Sequence, residues 1–298
     1  MTTNSAAHQK SLMALKRDIT YELFVKTAEQ TYVVARWCFL NGLYLDFYWN
    51  GAQALERVMK AVLLYNGESA IKPENGGSFG HDLSFLFDAV AEISGDLLPD
   101  NLRQPDDLDI HHWTEERTSD FIERINNEGD PNNRYNIFGF VQRPEDLYKL
   151  DQTLFALRRL CLDLDASYLP SEMKGDKPPR TNRDILVSNS GYLPGLVGSR
   201  LRKLMSEKGN AAVREAALQH NLAFPDEGFV HDPLRASWSA DNPVLGRRIL
   251  EFANNTSPES AALVVELTQW VLDNIKLPKG VVGQLKTAQH SAQARSKP

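Results

Sequence analysis

One stretch constrains this chain more than any other, the run from Leu45 to Phe87. Tyr48, Ala52, Leu55, Met59 and Val62 recur at the spacing of one helix face. Phe47, Ala54, Val58 and Ala61 add a second apolar flank, so the helix must be covered on two sides. Asn50, Gln53, Arg57 and Lys60 line the opposite side. Gly67 after Asn66 is a C-terminal stop. A helix that needs cover on two flanks requires neighbouring helices, which points to an all-α bundle.

The flanking sequence supplies those neighbours. Residues 22–40 read as a long helix with Val33, Trp37 and Leu40 on one face, ended by Asn41-Gly42. The loop from Lys72 to Gly80 cannot continue a helix, and Asp82 is placed to cap one that starts at Leu83. Residues 113–125 read as a shorter helix. Pro144 and two acids then open a helix in which Leu147, Leu150, Leu154, Leu157, Cys161 and Leu164 repeat by three and four.

Residues 169–182 are rich in Pro, Lys and Asp and read as a linker. Beyond it the expected elements are a β-like run at Ile185-Leu186-Val187 and two short helices with Asn210 as the cap between them. Pro243 and Ser257-Pro258-Glu259 mark two further helix starts, and the tail from about Gln284 is expected to be mobile. The domain expectation is a bundle over 20–167 and a smaller helical part over 183–283.

Composition excludes several classes. The chain of 298 residues carries a formal net charge of −6, so no global basic field draws it to nucleic acid, although a local basic groove is compatible with that charge. Its two cysteines lie in apolar helical runs, as core residues of a reducing compartment would. With neither a leader-like N-terminus nor an apolar membrane span, the expected location is the cytoplasm. The sequence contains no P-loop, dinucleotide fingerprint or Cys-x-x-Cys. His111, His112 and Glu116 suggest metal, but no second helix offers a matching pair, and neither a metal nor a cofactor is expected.

The order of local motifs resembles the HEPN superfamily of small helical bundles. The resemblance rests on Ala54, Glu56 and Lys60 in the central helix, then Gly80-His81-Asp82-Leu83, then Arg134-Tyr135 before the last long helix. It covers roughly residues 20–167 and implies an antiparallel helical bundle. Many members are metal-independent ribonucleases that use an Arg, a spacer of four to six residues, and a His, usually at a dimer interface. No such pair occurs in residues 20–167, and one occurs outside, Arg214 and His220.

The resemblance therefore implies a non-catalytic binding or accessory protein. It would take a protein partner, or the phosphate of a nucleotide or RNA in a cleft near Asn50, Lys60, His81, Asp82, Arg134 and Tyr135. Two alternatives stay open. One is an endoribonuclease of toxin or phage-defence type with Arg214 and His220 as catalytic residues. The other is a structural module that assembles as a homodimer or larger oligomer.

Overall fold

Helices carry nearly all the regular structure of the computed structural model. It describes residues 13–71, 78–106, 113–168, 180–206, 210–224, 229–234, 237–241, 243, 245, 249–251, 258–275 and 277–296, apart from the side chains of residues 134, 241, 258–260 and 296. The protein is an all-α helical bundle. The strands among the described residues form two short antiparallel pairs, β1 (Asn101–Leu102) with β2 (Glu116–Arg117) and β3 (Phe140–Gln142) with β4 (Ser239–Asp241).

The chain divides into two compact units, residues 1–129 with 143–237 and residues 130–142 with 238–298. The division differs from the expected boundary in the linker. Main-chain bonds from Tyr168 to Arg180 and from Asn182 to Ala166 tie the far side of that segment back to the near side. The Arg183 guanidinium then donates to the carbonyls of Ile93 and Ser94 at 2.9 and 3.1 Å. Residues 183–237 therefore fold with the bundle.

In the first unit, α1 (Lys26–Leu40) follows an unbroken helical run from residue 13 that widens into a π turn at Tyr21–Val25. Gly42, at φ 75°, turns the chain into the central helix α2 (Tyr44–Tyr65). Helix α2 packs against α1, α3 (Leu83–Ser94), α4 (Thr118–Glu128) and α5 (Asp146–Arg159). This is the two-sided cover its apolar flanks require. Phe47, Ala54, Leu55, Val58, Met59, Ala61 and Val62 are fully buried. Full burial of one large apolar side chain contributes about 1.5–3 kcal/mol, so this helix holds much of the core. Gly51 faces Leu150 of α5, and a Cβ there would make an ordinary contact with that side chain at 3.7 Å.

Several local expectations need correction. Helix α4 begins at Thr118 rather than 113, because Glu116 and Arg117 pair with β1 and the Thr118 amide donates to Asp100. Helix α5 stops at Arg159 although its leucine pattern continues. The amide of Leu164 is taken by Asn66 at 3.0 Å and the Asp163 carbonyl by Asn182 at 2.8 Å, so the backbone leaves helical geometry. The β-like run lies in helix α6 (Asn182–Ser188), which a reciprocal capping box between Thr181 and Asp184 starts. On α1 the expected face is shifted. Trp37 is 42% exposed while Arg36 is fully buried. Helices α7 (Arg200–Ser206) and α8 (Ala211–Leu218) form as expected, with the Asn210 side chain accepting from the Val213 amide.

The second unit is built on α9 (Pro258–Asn274) and α10 (Lys279–Ser296). The expected mobile tail is helical here. Val281, Leu285 and Ala292 form a buried seam on α10 and join Ala261, Val264 and Val271 of α9 in one core with Ile137 and Ile249. Leu263 and Trp270 of α9 are more than half exposed. The expected helix from Pro243 to Phe252 lies mostly outside the described residues.

Candidate functional site

Helical geometry separates the first group of candidates. Asn50 and Lys60 are ten residues apart on one straight helix, which is about 15 Å of rise. Asn50 bonds its own helix at the Asp46 carbonyl, 2.7 Å away. Lys60 and His81 do meet, at Glu56. The Glu56 carboxylate accepts from Lys60 Nζ at 2.6 Å and lies 3.1 Å from His81 Nδ1. Lys60 Nζ also donates to the Gly80 carbonyl at 3.3 Å. The turn thus folds back on α2 through a carboxylate whose side chain is only 8% exposed. Glu56 is not the surface partner that its spacing from Lys60 suggests.

The His81 side chain is 70% exposed. With Nδ1–H directed at Glu56, Nε2 is turned to solvent. Neutral, Nε2 accepts a proton; protonated, it donates to an anion. Asp82 is the helix cap its position suggested, its Oδ1 accepting from Phe85 N at 3.1 Å. The Leu83 amide is capped from α4 by Asn126 Oδ1 at 3.0 Å. Tyr135 is 65% exposed, and it belongs with Arg134 to the second unit. The Arg134 side chain, His111 and His112 lie outside the described residues.

Arg214 and His220 meet one aromatic cluster at different rings. Helix α8 ends at Leu218, and His220 sits in the left-handed region at φ 56°. Its ring is stacked 5.6 Å from that of His231, which lies 5.2 Å from Phe229. The Arg214 guanidinium lies over the Phe229 ring, 5.3 Å from its centre. The guanidinium contacts Phe229 and the imidazole contacts His231. Burial first, then the neighbouring His231 and Arg36, push the His220 imidazole down to about 4. It is 8% exposed and neutral at ordinary pH.

Sequence reasoning missed the charges buried inside the unit. Arg36 of α1 pairs with Asp151 of α5, and Glu29 of α1 with Arg158 of α5 at 3.0 Å. Arg124 bridges Glu116 and Asp146 at 2.9 and 2.7 Å, and the fully buried Lys149 reaches Glu116 at 2.8 Å. These pairs answer one another inside the core, which is the arrangement of structural ion pairs. Their only signal in sequence is a charge on an otherwise apolar face. Burial pushes the Cys161 thiol up to about 12 and the Cys38 thiol up to about 11, so neither is a reactive nucleophile. Among the described residues no cluster of His, Cys, Asp and Glu could hold a metal ion. No helix among them is long and apolar enough to cross a membrane. Comparison of the chain with protein-family models, with curated proteins and with solved structures finds no match.

Proposed function

We propose that this protein binds a phosphate-bearing ligand, a nucleotide or RNA, at the His81 edge of α2, and does not cleave RNA with Arg214 and His220. The observation that carries the reading is the Glu56 junction. A buried carboxylate orients an exposed imidazole and an ammonium at one spot, beside the N-terminus of α3. With His81 protonated the three groups sum to one positive charge, and Nε2 is free to donate to a phosphate oxygen. The expected order of HEPN-like motifs, with the usual Arg–His pair missing from the bundle, favours the same reading. Burial of His220, with its imidazole pushed down to about 4, speaks against its acting as an acid with Arg214 at ordinary pH.

The test is fluorescence anisotropy with a labelled single-stranded RNA and with a labelled ATP analogue. His81→Ala and Lys60→Ala should each weaken binding about three- to tenfold, a loss that corresponds to one exposed charged contact, and affinity should fall as salt rises. Binding unchanged in both variants would remove the site. The same junction supports a second reading, because a carboxylate-held imidazole is also an acid–base arrangement. RNA cleavage by the purified protein that disappears in His81→Ala, with thermal unfolding unchanged, would replace the binding reading with a nuclease one.

A further inference from the structure

Among the described residues the buried cations are Arg36, Lys149, Arg158 and Arg159. The first three each meet a carboxylate, that of Asp151, Glu116 and Glu29 respectively. Arg159 is 9% exposed, has no carboxylate partner among the described residues, and burial alone pulls its pKa down. Its Nε donates to the Tyr192 carbonyl at 3.1 Å, and its Nη2 to those of Leu186 and Asn189 at 2.7 and 2.9 Å. These bonds fix the guanidinium against the end of α6 and leave Nη1 without a partner among the described residues. Carbonyls at a helix end offset part of a positive charge but bring no net charge to balance it. Arg159 also lines a groove of about 690 Å3 within the first unit. The floor is one face of α5, where Tyr148, Asp151, Gln152, Phe155, Ala156 and Arg159 recur by three and four. Leu97, Leu98 and Pro105 add apolar wall from one segment, and Leu222 and Ala223 from another. Gln152 Nε2 ties the first wall to the floor by donating to the Arg103 carbonyl at 2.8 Å.

We infer that this groove binds a small monocarboxylate with an apolar body, an aryl or short-chain alkyl carboxylate, with its head at Arg159. The volume falls within the roughly 300–1,000 Å3 of small-molecule pockets, and Phe155 with the leucines and prolines of the walls covers an apolar body. A carboxylate at Nη1 gives Arg159 the partner that the other three buried cations already have. The aspartates of the lining do not supply it. Asp151 accepts from Tyr32 through one oxygen and from Arg36 through the other. Asp96 and Asp106 stand at exposed positions, as Arg103 does, where water and salt screen them. The lining as a whole is therefore not positive, and recognition rests on the one buried guanidinium. A phosphate dianion would need more donors than Nη1 offers and would add a second negative charge near Asp96 and Asp106. An amine would meet a guanidinium, and an alcohol would leave its charge unbalanced.

The experiment is isothermal titration of the intact chain with 3-phenylpropanoate, 3-phenylpropan-1-ol and 3-phenylpropylamine, three compounds of one shape and different charge. Saturable binding of the carboxylate is expected, at least about tenfold tighter than the alcohol or the amine, the gain of one buried charge-assisted contact. Ala223→Trp, at a half-buried wall position away from the bonds of Arg159, should fill the groove and weaken the carboxylate about tenfold or more. Arg159→Gln should bring the carboxylate and the alcohol to similar affinities. Equal binding of carboxylate and alcohol by the unaltered protein would overturn recognition by Arg159. Absence of saturable carboxylate binding, or binding undiminished in Ala223→Trp, would overturn the site. The comparison of the three compounds is made on the unaltered protein, so it stands even if Arg159→Gln fails to fold.

Discussion

The Arg36 guanidinium and the Asp151 carboxylate pair across 115 residues of chain, with side-chain exposures of 0% and 3%. The Tyr32 hydroxyl donates a second bond to the same carboxylate at 2.5 Å. The remaining Arg36 donors reach the carbonyls of Ala216 and Gln219 at the end of α8. One side chain thus ties α1 to α5 and to α8. Removing one partner of a buried pair strands the other charge and costs about 3–5 kcal/mol. Arg36→Ala should lower the unfolding free energy in urea by that amount, and the double replacement Arg36→Met with Asp151→Leu should recover most of it. A loss below about 1 kcal/mol for Arg36→Ala would be the behaviour of a solvated pair and would contradict the assignment.

Glu116 makes the stability depend on acid. Burial alone would raise its carboxyl, but hydrogen bonds and charge from Arg124 and Lys149 overcome burial and hold it at about 2. A carboxylate depressed in the folded state stabilises it above the unfolded value, near 4.3, and that contribution is lost as pH falls through the folded value. The urea midpoint should therefore drop between about pH 4.5 and about pH 2. Glu116→Gln should flatten that segment and leave the slope above about pH 5 unchanged. A wild-type slope that survives the substitution would show the protons going elsewhere.

Gly129 is held by contact rather than by a special backbone angle, since its φ is −90°. A Cβ there would sit 2.5 Å from the Tyr48 carbonyl oxygen, 2.7 Å from Ala52 Cβ and 2.8 Å from the Ile125 carbonyl oxygen. Two of these atoms are main chain of packed helices and cannot step aside alone. Gly129→Ala should cost about 1–3 kcal/mol, visible as a lower melting temperature. An unchanged melting temperature would mean that the end of α4 stands further from α2 than described.

The start of α3 has two side-chain caps from different elements. Asp82 serves the Phe85 amide and Asn126 of α4 serves the Leu83 amide. Asp82→Ala should cost about 1 kcal/mol, and Asn126→Ala a comparable amount. Because each satisfies a separate amide, their costs should add in the double variant. Strong non-additivity in chemical denaturation would show the two caps acting as one.

The Glu56 junction shows how much of a site spacing can reveal. Glu56 and Lys60 stand four apart on one helix, and that part was legible. Burial of Glu56 and its reach to His81 depend on the turn at Gly80 folding back onto α2, a contact across 25 residues that no local pattern encodes. Arg214 and His220 show the reverse. Their spacing fits a motif, yet α8 ends at Leu218 and His220 is buried against the ring of His231, which spacing alone does not reveal.

From its sequence alone this chain was bound to be helical, with α2 covered on two flanks and with Asp82 and Asn210 as caps. Those features follow from residues within a few turns of one another, where spacing decides which side chains share a face and which amide a side-chain oxygen can reach. Tertiary structure alone decided that Arg36 is buried and Trp37 exposed, because Asp151 waits on α5 to receive the charge. It also decided that the polar C-terminal tail is helix α10, since the thin apolar seam of Val281, Leu285 and Ala292 stabilises a helix only once α9 is there to cover it. Helical periodicity states that a face needs a partner; which partner answers it depends on groups that meet only when distant parts of the chain pack.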